Sequence, residues 1–508
     1  MKTHYIALLI VLATLLAAPA QAALDAKAVA QLAAEDSDER IAAIWTLAEG
    51  GQPAEAMSVL QALADGSLKD AKGEDITINN RIRGELAAAL ASLRLFDADR
   101  GVRLAAAREL QAGADARLVG VLEKAIAKEA DAEIRRLLAL SHAQASLQSD
   151  DPQRRLAAVQ ALASSDSPNT KSLLLGVLAK NGDAWAEPDA EVRRAAAAAL
   201  KGVESRLGTA ENIGRVFSGL SLGSILLLAA LGLAITYGVM GVINMAHGEF
   251  LMIGAYATFA VQGLFRSYAP DFLDAYVLAA IPVAFIITAL VGMVLERMVI
   301  RHLYGRPLET LLATWGISLM LIQAARTLFG SQNVEVANPS WMSGGVEVFA
   351  GAMLPWNRIA IVAFSVGVLA LMWAILNLTR LGLFVRAVTQ NRPMAGCVGV
   401  PTGRVDTLAF GIGAGIAGLG GVALSQIGNV GPDMGQGYIV DSFMVVVLGG
   451  VGQLAGAVWA ALGLGVFTKF LEGWTGAVIA KIVVLVFIIV FIQKRPQGLF
   501  ALKGRVVD

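Results

Sequence analysis

Nine long apolar runs occupy the C-terminal three-fifths of the chain, at 216–237, 248–265, 276–296, 308–329, 358–378, 406–428, 438–452, 455–471 and 476–493. About 20 apolar residues in a helix cross a hydrocarbon layer about 30 Å thick. In lipid only helices and closed barrels satisfy their own backbone. All of the runs have that length except 438–452, which is short. The expected fold class is therefore all-α, a polytopic membrane helix bundle of about eight or nine spans with broken or re-entrant helices. The chain is 56% hydrophobic and 16% charged, against about 45–50% and about 25% for soluble domains. It is too apolar for a purely soluble enzyme and too charged to consist of spans alone. Residues 212–508 carry a net charge of +5 and residues 1–211 a net −5, so the two parts meet different solvents. The single cysteine, Cys397, excludes an intrachain disulfide and a Cys-rich metal site.

The first 22 residues, MKTHYIALLIVLATLLAAPAQA, have a weakly basic start (Lys2, His4) and an apolar run from Ile6 to Ala17. Ala20-Gln21-Ala22 is a small-x-small cleavage site, so residues 1–22 read as a secretory signal peptide, with an uncleaved signal anchor as the alternative. Residues 23–205 are rich in Ala and Leu at helical spacing. One phrase recurs, starting at Asp36, Asp99, Asp131, Asp151 and Asp189. In each copy an Asp stands at an N-cap and an apolar-Ala helix follows. The phrase resembles HEAT-type α-solenoid repeats, although its intervals are uneven. A soluble α-solenoid-like helical domain is expected there, serving either protein docking or spacing. It shows no HExxH, no nucleophile elbow and no paired Cys/His, and His142 stands alone.

Basic residues cluster between runs three and four (Arg297, Arg301, Arg306), between five and six (Arg380, Arg386, Arg392, Arg404) and after the last run (Lys494, Arg495, Lys503, Arg505). Basic loops stay cytoplasmic. An N-terminus outside and a C-terminus inside require an odd number of crossings. Nine runs meet that condition and put all three clusters on one side, with 206–508 as the membrane domain. Two stretches, Gly238–Glu249 and Leu448–Gly456, interrupt apolar runs with small and polar residues. Both are expected to break helices at membrane depth and to mark a transport path. The runs Gly411–Gly415 and Gly463–Gly465 read instead as helix-packing surfaces.

The phrases Tyr237 to Glu249 and Val447 to Gly452, the loop Gly382 to Asn391 and the stretch Ala395 to Val400 resemble the permease subunit of branched-chain amino-acid ABC importers. Gln332 to Trp341 and Gln493 to Phe500 are most similar to the urea-transport branch of that family, many members of which also carry a large secreted helical N-terminal domain. The resemblance implies a urea permease in a bacterial inner membrane, with branched-chain amino acids or short amides as the alternative solutes. It implies a periplasmic N-terminal domain and a cytoplasmic C-terminus. It also implies as partners a second permease subunit (a heterodimer), two cytoplasmic ATP-binding subunits and a periplasmic solute-binding protein, and no nucleic acid.

The residues add their own chemistry. No Gly-Lys pair occurs, so the chain has no phosphate-cradling loop and is read as a transport subunit, not an enzyme, with no cofactor and no metal. Energy must enter by contact. The stretch Leu381–Val405 is the candidate ATPase-coupling segment, a short amphipathic helix carrying Arg386, Gln390, Asn391 and Arg392, followed by a turn at Gly399. For the path the candidates are Thr236, Asn244, His247, Glu249, Asp441 and Ser442, because ionisable residues at membrane depth default to a functional role. Lys481 is the other intramembrane charge, a cross-helix partner for Asp441. An intramembrane hydrolase using His247 and Glu249 is the rival of a different class, but no Ser or Cys nucleophile motif accompanies them.

Overall fold

The computed structural model describes residues 26–34, 36–50, 53–69, 76–111, 113–182, 184–349 and 352–500. The signal peptide expected at 1–22 lies outside them. The chain divides into two compact units, Met1–Gly208 and Thr209–Asp508.

The N-terminal unit is built from α1 (Ala26–Gln31), α2 (Ser37–Glu49), α3 (Pro53–Ala64), α4 (Asn80–Arg94), α5 (Arg100–Leu110), α6 (Val119–Lys128), α7 (Ala132–Ser146), α8 (Pro152–Leu162) and α9 (Pro168–Val177). A two-residue hairpin of β1 (Lys180–Asn181) and β2 (Ala184–Trp185) follows. The first residues of α10 (Ala190–Met240) complete the unit. The recurring phrase has a definite geometry. Asp36, Asp99, Asp131, Asp151 and Asp189 each accept backbone N–H groups of the helix they begin. In four of the five copies the Arg four residues later turns back to the two carbonyls before the cap. Arg103 reaches Asp97 and Ala98, Arg135 reaches Glu129 and Ala130, Arg155 reaches Ser149 and Asp150, and Arg193 reaches Glu187 and Pro188. Asp-x-x-x-Arg thus satisfies the orphan donors of a helix start and the acceptors of the chain entering it. Arg40 differs and reaches Thr77 instead.

Two of these arginines also bridge to later segments, Arg103 to Glu129 at 2.9 Å and Arg155 to Glu187 at 2.8 Å. The Arg103 bond holds the Glu129 carboxyl below the usual carboxylate range. Burial pushes the Glu187 carboxyl up, and its bonds from Arg155 and the Asp189 amide more than offset this, leaving it low.

The second unit takes the rest of α10 and then α11 (His247–Tyr268), α12 (Tyr276–Met298), α13 (Pro307–Phe329), α14 (Trp356–Leu378), α15 (Arg380–Gln390), α16 (Arg392–Cys397), α17 (Thr402–Ser425), α18 (Met434–Gly449), α19 (Leu454–Thr475) and α20 (Ala477–Lys494). The hairpin of β3 (Gly345–Phe349) and β4 (Ala352–Pro355) precedes α14. Among the described residues eight helices have the length and apolarity to cross a membrane, and α18, at 16 residues, is a shorter apolar helix.

Contacts between helix ends give the path of the chain. Tyr304 touches Met240, Arg392 touches Asp406, Gly238 faces Gly452, and Gly450 lies against Gln497 and Phe500. The ends of α10, α12, α14, α18 and α20 and the starts of α13, α17 and α19 therefore share one end of the bundle, here the basic end. Among the described residues eight helices of spanning length and the shorter α18 run between the ends of the unit.

Glycine sets how closely these helices approach. Gly232 and Gly413 meet backbone to backbone, as do Gly248 and Gly435, Gly254 and Gly418, and Gly219 and Gly465. In lipid, where water gives no hydrophobic drive, such close approach supplies the packing energy. The run Gly411–Gly415 packs as expected, Gly411 on Met293 and Gly415 on Phe285, whereas Gly463 has open space around it. Helix α17 is the axis, with 89% of its apolar window buried against 17% for α20.

The structure corrects one of the two expected breaks. The chain is non-helical at Gly241–Ala246 and returns His247 to the level of Ala229, halfway along the membrane part of α10. The stretch Leu448–Gly456 instead forms a tight turn at the basic end, with Gly450 and Gly452 at positive φ and Leu499 bonded to Leu448. The second interruption lies earlier, between α17 and α18. There Val430 pairs with Val334, and α18 begins against the first turn of α11. A break needs a partner for its freed backbone, and the loop after α13 provides one.

Two stability outcomes follow. A β-carbon at Gly421 would fall on the Leu251 carbonyl oxygen. Gly421→Leu should cost at least about 3 kcal/mol, while Gly463→Ala should gain about 0.5–1 kcal/mol, both read from thermal unfolding of the detergent-purified chain. Arg155→Met strands the Glu187 carboxylate, whose side chain is 6% exposed, at a cost of about 3–5 kcal/mol at pH 7. A carboxyl held low stabilises above its unfolded value of about 4.3 and loses that contribution as pH falls through the lowered folded value. The difference between native and Arg155→Met chains should therefore shrink below pH about 4, as measured by hydrogen exchange of α8 corrected for intrinsic rates.

Candidate translocation site

The first interruption gathers polar side chains at mid-depth. Asn244 closes the break on itself, its Oδ1 accepting the Ala246 N–H at 3.0 Å. The Met245 N–H donates to Thr314 on α13. His247 opens α11 with Nε2 3.0 Å from the Ala229 carbonyl, which suits a tautomer donating from Nε2. Glu249 accepts the Ser318 hydroxyl of α13 at 2.8 Å on Oε1. Asn244, His247 and Glu249 are all buried. Each keeps one polar atom without a partner, Asn244 Nδ2, His247 Nδ1 and Glu249 Oε2. Tyr256, two turns along α11, leaves its buried hydroxyl likewise unbonded. Glu249 Oε2 lies against the first turn of α18, 2.9 Å from where a Gly435 β-carbon would stand. The N-termini of two interrupted helices, α11 and α18, thus cross at Gly248 and Gly435 beside an unfilled carboxylate oxygen.

The pairing of the acids singles out Glu249. Within the helices α11 to α20 the other acids each face a cation: Glu296 with Arg301, Glu309 with Arg306, Asp406 with Arg392, Asp441 with Lys481 and Glu472 with Lys469. Glu249 alone among these described acids has only a hydroxyl.

The other sequence candidates stand apart. The Thr236 and Ser442 hydroxyls bond to carbonyls of their own helices, Thr236 to Leu233 and Ser442 to Tyr438. Asp441 lies 3.5 Å from Lys481, the partner named for it, in a separate cleft of about 260 Å³ bordered by α10, α18, α19 and α20.

At the basic end the stretch named for coupling forms two helices, α15 and the short α16, where a single amphipathic helix and a turn were expected. Phe384, Val385 and Val388 pack inward on the core. Leu383, Met394 and Val398 are 58%, 60% and 71% exposed. Asn391 caps α16 by accepting the Met394 N–H, and Gly399 takes a positive φ of 88° at the turn that follows. Arg386 and Gln390 line a cleft of about 640 Å³ with Trp373, Asn377 and Gln453. Arg392 is turned inward to Asp406 at 2.6 Å. Sequence reasoning passed over Thr314, Ser318, Glu296 and Asp406. Glu296 and Asp406 carried the same signal as Glu249, an acid within an apolar run. Thr314 and Ser318 carried none, since hydroxyls are ordinary in such helices.

Among the described residues eight helices of spanning length and the shorter α18, with α11 and α18 starting at mid-depth around polar atoms without partners, fit a multi-pass membrane permease. Residues 215–492 match the family described as branched-chain amino acid transport system / permease component, and the chain belongs to that family. It is 30% identical over 290 residues to the high-affinity branched-chain amino acid transport system permease protein LivH of Salmonella typhimurium, covering 56% of this chain and 94% of that protein. It is 30% identical over 291 residues to the corresponding protein BraD of Pseudomonas aeruginosa, with the same coverage. A shorter stretch of 147 residues is 31% identical to the fructose import permease protein FrcC of Rhizobium meliloti, covering 25% of this chain and 41% of that protein. No solved structure matches the chain. As a member of this family the chain is a transport subunit of an ABC importer in the inner membrane.

Proposed function

We propose that this chain moves a branched-chain amino acid or a solute of similar size through the membrane, as one subunit of an importer driven by separate ATPases. The names of the relatives favour a branched-chain amino acid over urea, the first expectation from the sequence. The observation that carries the reading is the unfilled Glu249 Oε2 beside the crossed starts of α11 and α18. A zwitterion brings an ammonium for that oxygen and a carboxylate suited to helix N-termini. Phe250, Leu251 and Ile439, all buried close by, are apolar enough for an aliphatic side chain. His247 and Glu249 act here as binding groups of the path and not as a catalytic pair. Urea is the second reading. It is favoured by the Asn244 Nδ2 donor and the Glu249 Oε2 acceptor, both without a hydrogen-bond partner, since a flat amide carries both acceptors and donors.

In this reading the basic end is cytoplasmic and α15–α16 meet an ATP-binding subunit through the exposed Leu383, Met394 and Val398. A second permease subunit forms a heterodimer with this one, two ATPases drive the pair, and a periplasmic binding protein delivers the solute. The N-terminal unit, a HEAT-like periplasmic domain carried behind a signal peptide, offers its helix faces to that side of the membrane.

The test is uptake by the reconstituted importer. Labelled leucine should enter with ATP and be displaced by leucine, isoleucine and valine but not by urea. Glu249→Gln keeps the Ser318 bond and removes the charge, and should cut uptake about 10- to 100-fold. Urea entry without leucine entry would move the assignment to urea, and entry of neither would remove it. A Leu383→Asp/Met394→Asp chain should lose most of its ATPase subunit on affinity purification, since charge at an apolar contact opposes docking. Full retention of the ATPase would place the contact elsewhere.

A further inference from the structure

At the basic end beside α15–α16 lies a charge-balanced cluster of two buried carboxylates and two part-exposed guanidiniums. Arg392, at the start of α16, bonds Asp406 near the start of α17 at 2.6 Å. Its guanidinium also lies over the Tyr304 ring, 5.1 Å from the centroid. The Tyr304 hydroxyl donates to Glu296 Oε1 on α12 at 3.1 Å. Glu296 Oε2 accepts the Thr407 hydroxyl of α17 at 2.7 Å and faces Arg301 at 3.5 Å. Glu296 and Asp406 are 0% and 1% exposed. Two carboxylates and two guanidiniums balance.

Such a cluster is a poor source of stability, because desolvation offsets the attraction and apolar replacements of the same shape often do as well. It is a good source of register. A planar guanidinium held by a buried carboxylate and stacked on a ring has one geometry. Its position gives that geometry a use. Asp406 belongs to α17, whose Gly413, Gly418 and Gly421 seat on Gly232 of α10 and on Leu251 and Gly254 of α11. Leu251 is two residues from Glu249. Glu296 belongs to α12, the other helix packed along α17.

We propose that Arg392 and Asp406 form the joint through which movement of the α15–α16 pair is passed into α17 and so to the polar crossing at Glu249. Arg392 is thus a positioning residue, anchored on the buried Asp406 beside the surface that meets the partner. The inference rests on the permease reading.

The experiment is the amount of solute taken up per ATP hydrolysed by the reconstituted importer, in the native chain and in Arg392→Met/Asp406→Leu. The double change removes both charges together, so no buried charge is stranded. The variant should assemble with its partner subunits and keep a thermal midpoint within a few degrees of the native one. Uptake per ATP should fall about tenfold, the effect of losing about 1.4 kcal/mol of coupling. Native coupling in the double variant would overturn the joint. If the double variant does not reach the membrane, Arg392→Lys decides, since it keeps the charge and loses the planar contact with Tyr304. A threefold or greater fall in uptake per ATP supports the joint, and an unchanged ratio overturns it. If the native importer shows no ATP-driven uptake, the permease reading fails, and that outcome is distinct from failure of the joint.

Discussion

Close backbone contact at glycine organises the membrane unit. Helix α17 meets α10 at Gly413 and Gly232, α11 at Gly418 and Gly254, and places Gly421 against Leu251. A β-carbon would fall on main chain at Gly232, Gly254, Gly413 and Gly421, and on the Thr288 side chain at Gly418. Their effect reaches beyond packing energy. With α17 as a fixed axis, the break after Met240 can return the chain to mid-depth, because the Ala229 carbonyl and the side chain of Thr314 wait there for His247 and for the Met245 amide. A looser bundle would leave those backbone groups facing hydrocarbon, at several kcal/mol each.

The two interruptions answer to each other across that axis. One lies between α10 and α11, the other between α17 and α18, and their helix starts meet at Gly248 and Gly435, each glycine closing on the carbonyl of the other. Any side chain at either position would separate the two N-termini. The contact therefore fixes where two positive helix ends converge, and Glu249 stands one residue beyond it.

Much of this was legible in the sequence, because span length and apolar periodicity are local properties. Each of the nine runs falls mainly on one helix, and the five Asp-led phrases each cap a helix. The Asn244–His247–Glu249 break was readable too, since an ionisable residue inside an apolar run is costly in hydrocarbon and needs either a partner or an interrupted helix to receive it. What escaped depended on distance in the chain. The turn at Gly449–Gly452 looks the same in sequence whether it lies at mid-depth or at the end of the bundle. Only its contacts with Gly238 and Phe500 locate it. Ser318 meets Glu249 because α13 packs beside α11, and Arg392 pairs with Asp406 because that residue, 14 positions on, folds back to it.

The acids of the membrane unit show why the crossing differs from the rest of the bundle. A carboxylate buried among helices costs several kcal/mol unless a partner replaces its water. Glu296, Asp406 and Asp441 have such partners in Arg301, Arg392 and Lys481, and each of those pairs ties one segment to another. Glu249 is as deeply buried and has one hydroxyl. A group that tied helices together would be expected to carry its own counter-charge, as the others do. A group that receives something cannot, because a resident cation would occupy the oxygen that the incoming donor needs. In the proposed reading the unpartnered oxygen of Glu249 therefore separates a binding position from a structural one, and it lies where the two interrupted helices begin.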